Sequence, residues 1–344
     1  MSEAKEFLNR LNLAEKDYSG APSTMCQGCG HDAISASIRK AFYDSSIDPK
    51  QVIKLSGIGC SSKTPAYFLG KAFGINTVHG RMSAVATGAI VANHTLLPIG
   101  VSGDGDTSAI GLGNFCHMIR RNLNFTYIIE NNGVYGLTKG QFSATADKGT
   151  ALKKGKINQN EAIDLCELAI TMGATFVARS FSGDRKQLAP LIQAALAHKG
   201  LAILDVLSPC VTFNNHEGSK KSLKNIRAHL DPIHDIDFMP GAELIEVDYK
   251  KGSETEVVLY DGSIVTLKKL HENYDPMNKM GAILELNQAK TDGKFLTGLI
   301  YFEPNRPTFT EQLDIRGTAL AYLPEDKLRP SIKHLDAINK KLSM

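Results

Sequence analysis

Four of the six cysteines stand in settings suited to chemistry. Cys26 and Cys29 have Cys-x-x-Cys spacing in Met-Cys-Gln-Gly-Cys-Gly-His; Cys60 lies in Gly57-Ile-Gly-Cys60-Ser-Ser-Lys63 and Cys210 in Ser208-Pro-Cys210. Two thiolates at that spacing can grip one metal centre, and Gly28 and Gly30 permit the tight path it requires. Four convergent cysteines suit either a structural zinc or a four-cysteine iron–sulfur cluster. A thioredoxin-like redox pair at Cys26 and Cys29 is a third reading, weakened by the additional cysteines. Cys116 and Cys166 fall within amphipathic helical patterns and read as buried, inert thiols.

A second constellation pairs Ser102-Gly103-Asp104-Gly105-Asp106 with Glu130-Asn131-Asn132-Gly133-Val134-Tyr135-Gly136. Glycines let a backbone approach a ligand closely. A carboxylate at Asp104 repels a bare phosphate, so its place beside one makes sense if a divalent cation lies between them. Magnesium prefers oxygen ligands and bridges protein oxygens to phosphates. Asp104, the Asn132 amide oxygen and the Val134 carbonyl would form one side of that octahedron. Gly-Asp-Gly alone is equally a turn or a capped helix start. The pairing is more specific: twenty-five residues separate Gly105 from Asn131, which resembles the thiamine-diphosphate signature. A reactive cofactor beside the cysteines favours an electron-accepting cluster over zinc, since a structural zinc has no reason to approach it.

These residues need elements to hold them. Apolar, β-branched runs at Gln51–Leu55, Leu97–Val101, Phe125–Glu130, Ala174–Ala178 and Leu201–Leu207 read as buried parallel strands. Helical patterns at Asp32–Phe42, Ser83–His94, Leu112–Arg121, Ala162–Met172 and Lys186–His198 lie between them. Strands alternating with helices give a doubly wound, mostly parallel α/β sheet, whose ligands sit at the carboxyl ends of the strands. Both constellations fall there. Residues 1–235 are expected to form this domain and residues 236–344 a C-terminal extension that covers the cluster or meets another subunit. The extension should hold a hairpin over Val247–Leu270, turning at Asp261-Gly262, and a final helix at Ser331–Lys341.

Composition narrows the class. The 344 residues are 42% hydrophobic and carry a formal charge of +3, enough for a sizeable core and too balanced for nucleic acid as the main partner. Basic clusters at Lys153–Lys156 and Lys220–Lys224 read as solvated surface rather than a docking site for an acidic partner. The charged first twenty residues lack the apolar stretch of a secretory signal. No window approaches about 18 unbroken apolar residues, so no membrane span is expected. A cytoplasmic protein follows, in which cysteines are thiols or metal ligands.

Taken in order, CQGCGH, GIGCSSK, HGRMSAVATG, GDGD, NNGVYGLTKGQ and SPCVTFN resemble the β subunits of 2-oxoacid:ferredoxin oxidoreductases, from about Ser23 to Asp231. YGLTKGQ, VARSFSGD and SPCVTFNNHEGS are most similar to the 2-oxoglutarate branch. The resemblance implies a [4Fe–4S] cluster on Cys26, Cys29, Cys60 and Cys210. It also implies Mg²⁺ on Asp104, Asn132 and Val134, and thiamine diphosphate held by Ile58, Gly59, Cys60, Ser61, Ser62, His79, Gly80, Arg81, Gly103, Asp104, Gly105, Asp106, Asn132, Val134, Tyr135, Gly136, Leu137 and Thr138. His79 by itself would more simply be a capped or core imidazole. Lys63 and Lys139 match positions near the substrate and Leu137 borders them, although composition alone would make both lysines exposed surface.

The implied reaction joins a 2-oxoacid, coenzyme A and oxidised ferredoxin to give acyl-CoA, CO2 and reduced ferredoxin, reversibly, so CO2 fixation is open. 2-Oxoglutarate leads as substrate, with pyruvate or broad specificity behind. The glutamate that activates thiamine has no matching motif here. In the family it comes from an α subunit, implying an α2β2 heterotetramer. A non-oxidative thiamine enzyme with zinc and a bare electron-transfer module are the rival classes; each leaves half of the motifs unused.

Overall fold

The computed structural model describes residues 7–151, 156–212, 244–259, 264–315 and 317–343. The expected strands all form: β1 (Val52–Ser56), β3 (Leu97–Gly103), β4 (Phe125–Asn131), β7 (Phe176–Phe181) and β8 (Leu201–Leu207). Edge strand β2 (Phe73–Asn76) and the small hairpin of β5 (Val134–Tyr135) and β6 (Gln141–Phe142) add to them. The expected helices are α1 (Gly30–Asp44), α2 (Met82–Ala92), α3 (Leu112–Arg121), α4 (Leu165–Met172) and α5 (Arg185–Ala197). The apolar pattern from Ala162 overshoots the start of α4. Asp164 sets that start by accepting from the Cys166 and Glu167 amides, a side-chain N-cap.

Nine of the described strands join in the order β2-β1-β3-β4-β8-β7 and then β11 (Lys294–Phe302), β10 (Ile264–Lys269) and β9 (Glu254–Val258). β2 through β7 in that order are parallel. The chain reverses direction across the sheet between β1 and β3, where a crevice opens outside the strand ends. Alternation along each strand sorts the core into two layers. Phe125, Tyr127 and Ile129 of β4 pack with α2, α3 and α4, whereas Ile128 packs with α1 and α5. Each such side chain, fully buried, stabilises the fold by about 1.5–3 kcal/mol. Gly100 is fixed by this packing: a Cβ there would lie 2.5 Å from the Phe125 ring.

The extension continues the same sheet. β9 (Glu254–Val258) and β10 (Ile264–Lys269) pair antiparallel as the expected hairpin. β11 (Lys294–Phe302) runs parallel to β10 and antiparallel to β7, and α6 (Lys279–Thr291) packs on the α4 side through Ala282, Leu286 and Ala289. The final helix spans Ile332–Leu342. The domain boundary at 235, the Asp261-Gly262 turn, the Lys220–Lys224 cluster and Lys153–Lys154 lie outside the described residues. No described helix is long and apolar enough to cross a membrane.

Candidate active site

The crevice at the β1/β3 switch point is lined by Ile58, Gly59, Cys60 and Ser61 after β1, and by Gly103, Asp104, Gly105 and Asp106 after β3. Asn132, Val134, Tyr135, Gly136, Leu137 and Thr138 follow β4, and His79 enters from the loop before α2. Each stretch leaves the carboxyl end of a strand or meets a helix start, which is why segments remote in sequence converge here.

Asp104 is buried at 1% exposure. Its carboxyl accepts the Asn132 amide at 3.3 Å, the Thr145 hydroxyl at 2.6 Å and the Ser143 hydroxyl. Burial still raises its pKa above the usual carboxylate value, with those donors pulling the other way. The Asn132 side-chain oxygen accepts the Val134 amide at 3.1 Å. These bonds make Asp104, Asn132 and Val134 neighbours, and they carry oxygens of the kind a hard cation takes. Ser61 Oγ is buried with no hydrogen-bond partner and lines the crevice, an orphan that a ligand would satisfy. Gly105 lets the Tyr135 ring pack against the backbone of this turn, since a Cβ there would meet the ring at 2.5 Å. Burial, reinforced by Asp104 and Asp106, raises the Tyr135 phenol pKa. The site's chemistry fits a metal-bridged diphosphate.

Asp106 has a local task. Its carboxylate accepts the Gly80 amide at 2.6 Å and the Ser102 hydroxyl at 2.7 Å, and contacts His79 Nδ1. It fixes the His79–Gly80 turn and leaves Nε2 as the ring's remaining polar atom. Ser62, Lys63, Gly80, Arg81 and Lys139 are not on the crevice wall. Ser62 donates to the Gly59 carbonyl at 2.7 Å, and exposed Arg81 donates to the Gly80 carbonyl at 3.3 Å. Lys63 is half-buried and near enough to Cys60 to pull that thiol's pKa down against the larger effect of burial. Lys139 is exposed at the tip of the β5–β6 hairpin, with a left-handed φ of 76°. Leu137, beside it, is 55% exposed.

Cys26, Cys29, Cys60 and Cys210 are electrostatic neighbours. Cys60 feels Cys210 and Cys26, and Cys29 feels Cys210. Burial pushes the Cys29 thiol up to about 12, and the Thr212 hydroxyl lies 3.7 Å from the Cys26 sulfur. No disulfide forms among the six cysteines, all of them described; Cys166 is buried, while Cys116 is only half-buried, short of the full burial its helical pattern suggests. Among the described residues no three His, Cys, Asp or Glu side chains are grouped closely enough to hold one metal ion.

Two crevice residues escaped the sequence reading, His31 and Glu130. Glu130, on the α1 face of β4, accepts the Thr64 hydroxyl at 2.9 Å and lies 3.6 Å from His31 Nε2. Burial raises the Glu130 pKa well above the carboxylate range and lowers that of His31 to about 4. His31 Nδ1 meets Ser208 Oγ at 2.7 Å. The detectable signal was the phase of β4: alternation from Ile128 sends Glu130 inward.

The fold and crevice define a thiamine-diphosphate-type α/β protein. Residues 57–206 match the thiamine pyrophosphate enzyme C-terminal TPP-binding domain, and residues 260–316 match the C-terminal region of the pyruvate ferredoxin oxidoreductase β chain. The chain is 46% identical over 194 residues to 2-oxoacid:ferredoxin oxidoreductase 1 subunit β of Aeropyrum pernix, covering 56% of this chain and 60% of that one. It is 39% identical over 195 residues to the 2-oxoglutarate synthase subunit KorB of Methanocaldococcus jannaschii, covering 56% and 71%. The 2-oxoglutarate:ferredoxin oxidoreductase of Magnetococcus marinus, solved with 2-oxoglutarate, coenzyme A and succinyl-CoA bound, superposes with a TM-score of 0.70. Its sequence identity is 29%, over 95% of this chain and 98% of that one. The chain belongs to the family of 2-oxoacid:ferredoxin oxidoreductase β subunits. It spans 60–63% of the length of the Aeropyrum protein and of its Saccharolobus solfataricus counterpart.

Proposed function

We propose that the chain is the cofactor-bearing subunit of a cytoplasmic α2β2 enzyme that converts 2-oxoglutarate and coenzyme A into succinyl-CoA and CO2, passing electrons to ferredoxin. One observation carries this reading: Cys60, near enough to Cys26 and Cys210 for each to raise its thiol pKa, lines the same crevice as Asp104. Thiol chemistry and diphosphate chemistry share a wall, as electron transfer from a bound cofactor requires.

In this reading Asp104, Asn132 and Val134 would hold Mg²⁺, which would supply the positive charge a diphosphate needs beside a carboxylate. His79 Nε2, Ser61 and the Gly103–Gly105 backbone orient the diphosphate, and Tyr135 and Leu137 wall off the crevice. Thiamine diphosphate, when bound, supplies the electron sink for decarboxylation. Cys26, Cys29, Cys60 and Cys210 as thiolates would hold a [4Fe–4S] cluster, which would supply a one-electron acceptor. Lys63 and Lys139 attract the distal carboxylate of the substrate, which pyruvate lacks. The activating glutamate comes from the α subunit, so this chain purified alone should turn over poorly.

The similarity to the KorB and Magnetococcus proteins supports 2-oxoglutarate as substrate. An anaerobic viologen assay of the co-purified complex with a panel of 2-oxoacids tests it. 2-Oxoglutarate should give the highest kcat/KM; faster turnover of pyruvate overturns the substrate assignment.

A further inference from the structure

The first asparagine of the Asn-Asn pair and the arginine of VARSFSGD have no part in the reading above. Asn131 follows the strand alternation away from the cysteine side, and Arg179 faces a separate cleft bordered by Lys290 and Lys294. Arg179 is 5% exposed and ion-paired twice: Nη2 donates to Asp164 at 2.7 Å and Nε to Asp205 at 2.9 Å. Burying three charges is expensive, and such a triad is weak evidence for stability alone.

The triad continues towards the crevice. Asp205 Oδ1 accepts from Asn131 Nδ2 at 3.0 Å. The carbonyl end of that amide is 3.2 Å from Thr145 Oγ1, which donates to Asp104 Oδ2 at 2.6 Å. Orientation is set from the outer end. Asp205 is an acceptor, so it turns the NH2 of Asn131 towards itself and the amide oxygen towards Thr145. The one Thr145 proton is shared as a bifurcated donation, its short arm to Asp104 and its long arm to Asn131 Oδ1, so the asparagine oxygen sets the direction of the hydroxyl; Ser143 Oγ, 2.8 Å away, is its third polar neighbour. Strand register supports the arrangement, since Arg179 and Asp205 are direct partners on β7 and β8.

We propose that Arg179, Asp205, Asn131 and Thr145 form a positioning relay that fixes the cation-holding carboxylate of Asp104 from behind, so that VARSFSGD acts on cofactor affinity rather than substrate choice. The inference rests on the Mg²⁺–diphosphate reading of the crevice. Asn131 and Arg179 are positioning residues that touch neither cofactor nor substrate.

The test measures binding on the co-purified complex: Mg²⁺ half-saturation at fixed thiamine diphosphate, followed by quenching of intrinsic tyrosine fluorescence, beside the Tm without ligand. Asn131→Ala cuts the relay at its middle and should raise the Mg²⁺ half-saturation roughly tenfold or more, as loss of an outer support of a metal ligand does. Thr145→Val should do the same, and Thr145→Ser, which keeps the hydroxyl, should restore wild-type binding. Wild-type Mg²⁺ affinity in Asn131→Ala overturns the relay, as does a fall in ligand-free Tm with unchanged affinity. If Asp104→Asn weakens binding while Asn131→Ala leaves it intact, the relay fails and the cofactor site stands. If the wild-type complex shows no Mg²⁺-dependent binding, both fall.

Discussion

Replacing Asp104 with Asn separates a cofactor ligand from a structural cap. The carboxyl is buried and receives donors from Asn132, Thr145 and Ser143, yet burial leaves its pKa raised, so the protein alone under-compensates its charge. Breaking a buried ionic pairing costs about 3–5 kcal/mol. Asparagine keeps one neutral oxygen ligand, which puts the expected loss near the lower end, roughly 3 kcal/mol or about 100-fold in Mg²⁺-dependent binding of thiamine diphosphate. Without ligand the sign reverses. The substitution deletes an under-compensated charge, and the Ser143 and Thr145 hydroxyls can rotate to accept from the new amide. Thermal unfolding of the complex with and without Mg²⁺ and thiamine diphosphate reads both effects. The wild-type Tm should rise on adding ligand, and the variant should lose that rise while its ligand-free Tm is unchanged or higher. A variant destabilised without ligand, with its ligand-induced rise intact, refutes the reasoning.

Cys60→Ser and Cys210→Ser should each strip iron and visible absorption from the anaerobically purified complex, while Cys116→Ser on α3 should not. Equal iron in all three excludes the proposed ligand set. Gly105→Ala drives a methyl into the Tyr135 ring, 2.5 Å away, and should weaken thiamine diphosphate binding at least tenfold; isothermal titration giving wild-type affinity contradicts the cradle. His31 and His198 are held neutral by burial, their pKa values lowered from 6.5 to about 4. The unfolded chain takes up those protons below about pH 6.5 and the folded chain refuses them until about pH 4, so stability must fall as pH drops through that window. His198→Gln should flatten part of the fall in Tm, and an unchanged slope refutes the assignment for that residue.

The central sheet was legible because its strands are continuous apolar runs ending in glycine-rich turns, and the site because those turns carry its chemistry. Edge strand β2 was not, since FGIN is short and mostly exposed. β11 was hidden because Gly298 and Thr297 interrupt its apolar run, and α6 because KMGAILELNQAKT buries only Ala282, Leu286 and Ala289. Motif order named most of the residues that line the crevice, though Ser62, Gly80 and Arg81 stand off its wall, and it could not say which way each side chain points. Asp106 turns back on the His79–Gly80 loop, Arg81 points into solvent, and Asn131 and Asn132 part to opposite sides. Those directions follow from strand phase and from hydrogen bonds between segments distant in sequence. His31 was invisible for the same reason, standing out only through its contacts with Ser208 and Glu130, whereas Glu130 was marked in the sequence by the phase of β4 alone.

The most direct test is metal analysis and optical titration of the anaerobically purified complex. About four irons and four sulfides per chain are expected, with an iron–sulfur absorption band that bleaches when 2-oxoglutarate and coenzyme A are added without another reductant. Zinc in place of iron would contradict that expectation, as would an iron centre that dithionite reduces and 2-oxoglutarate with coenzyme A does not.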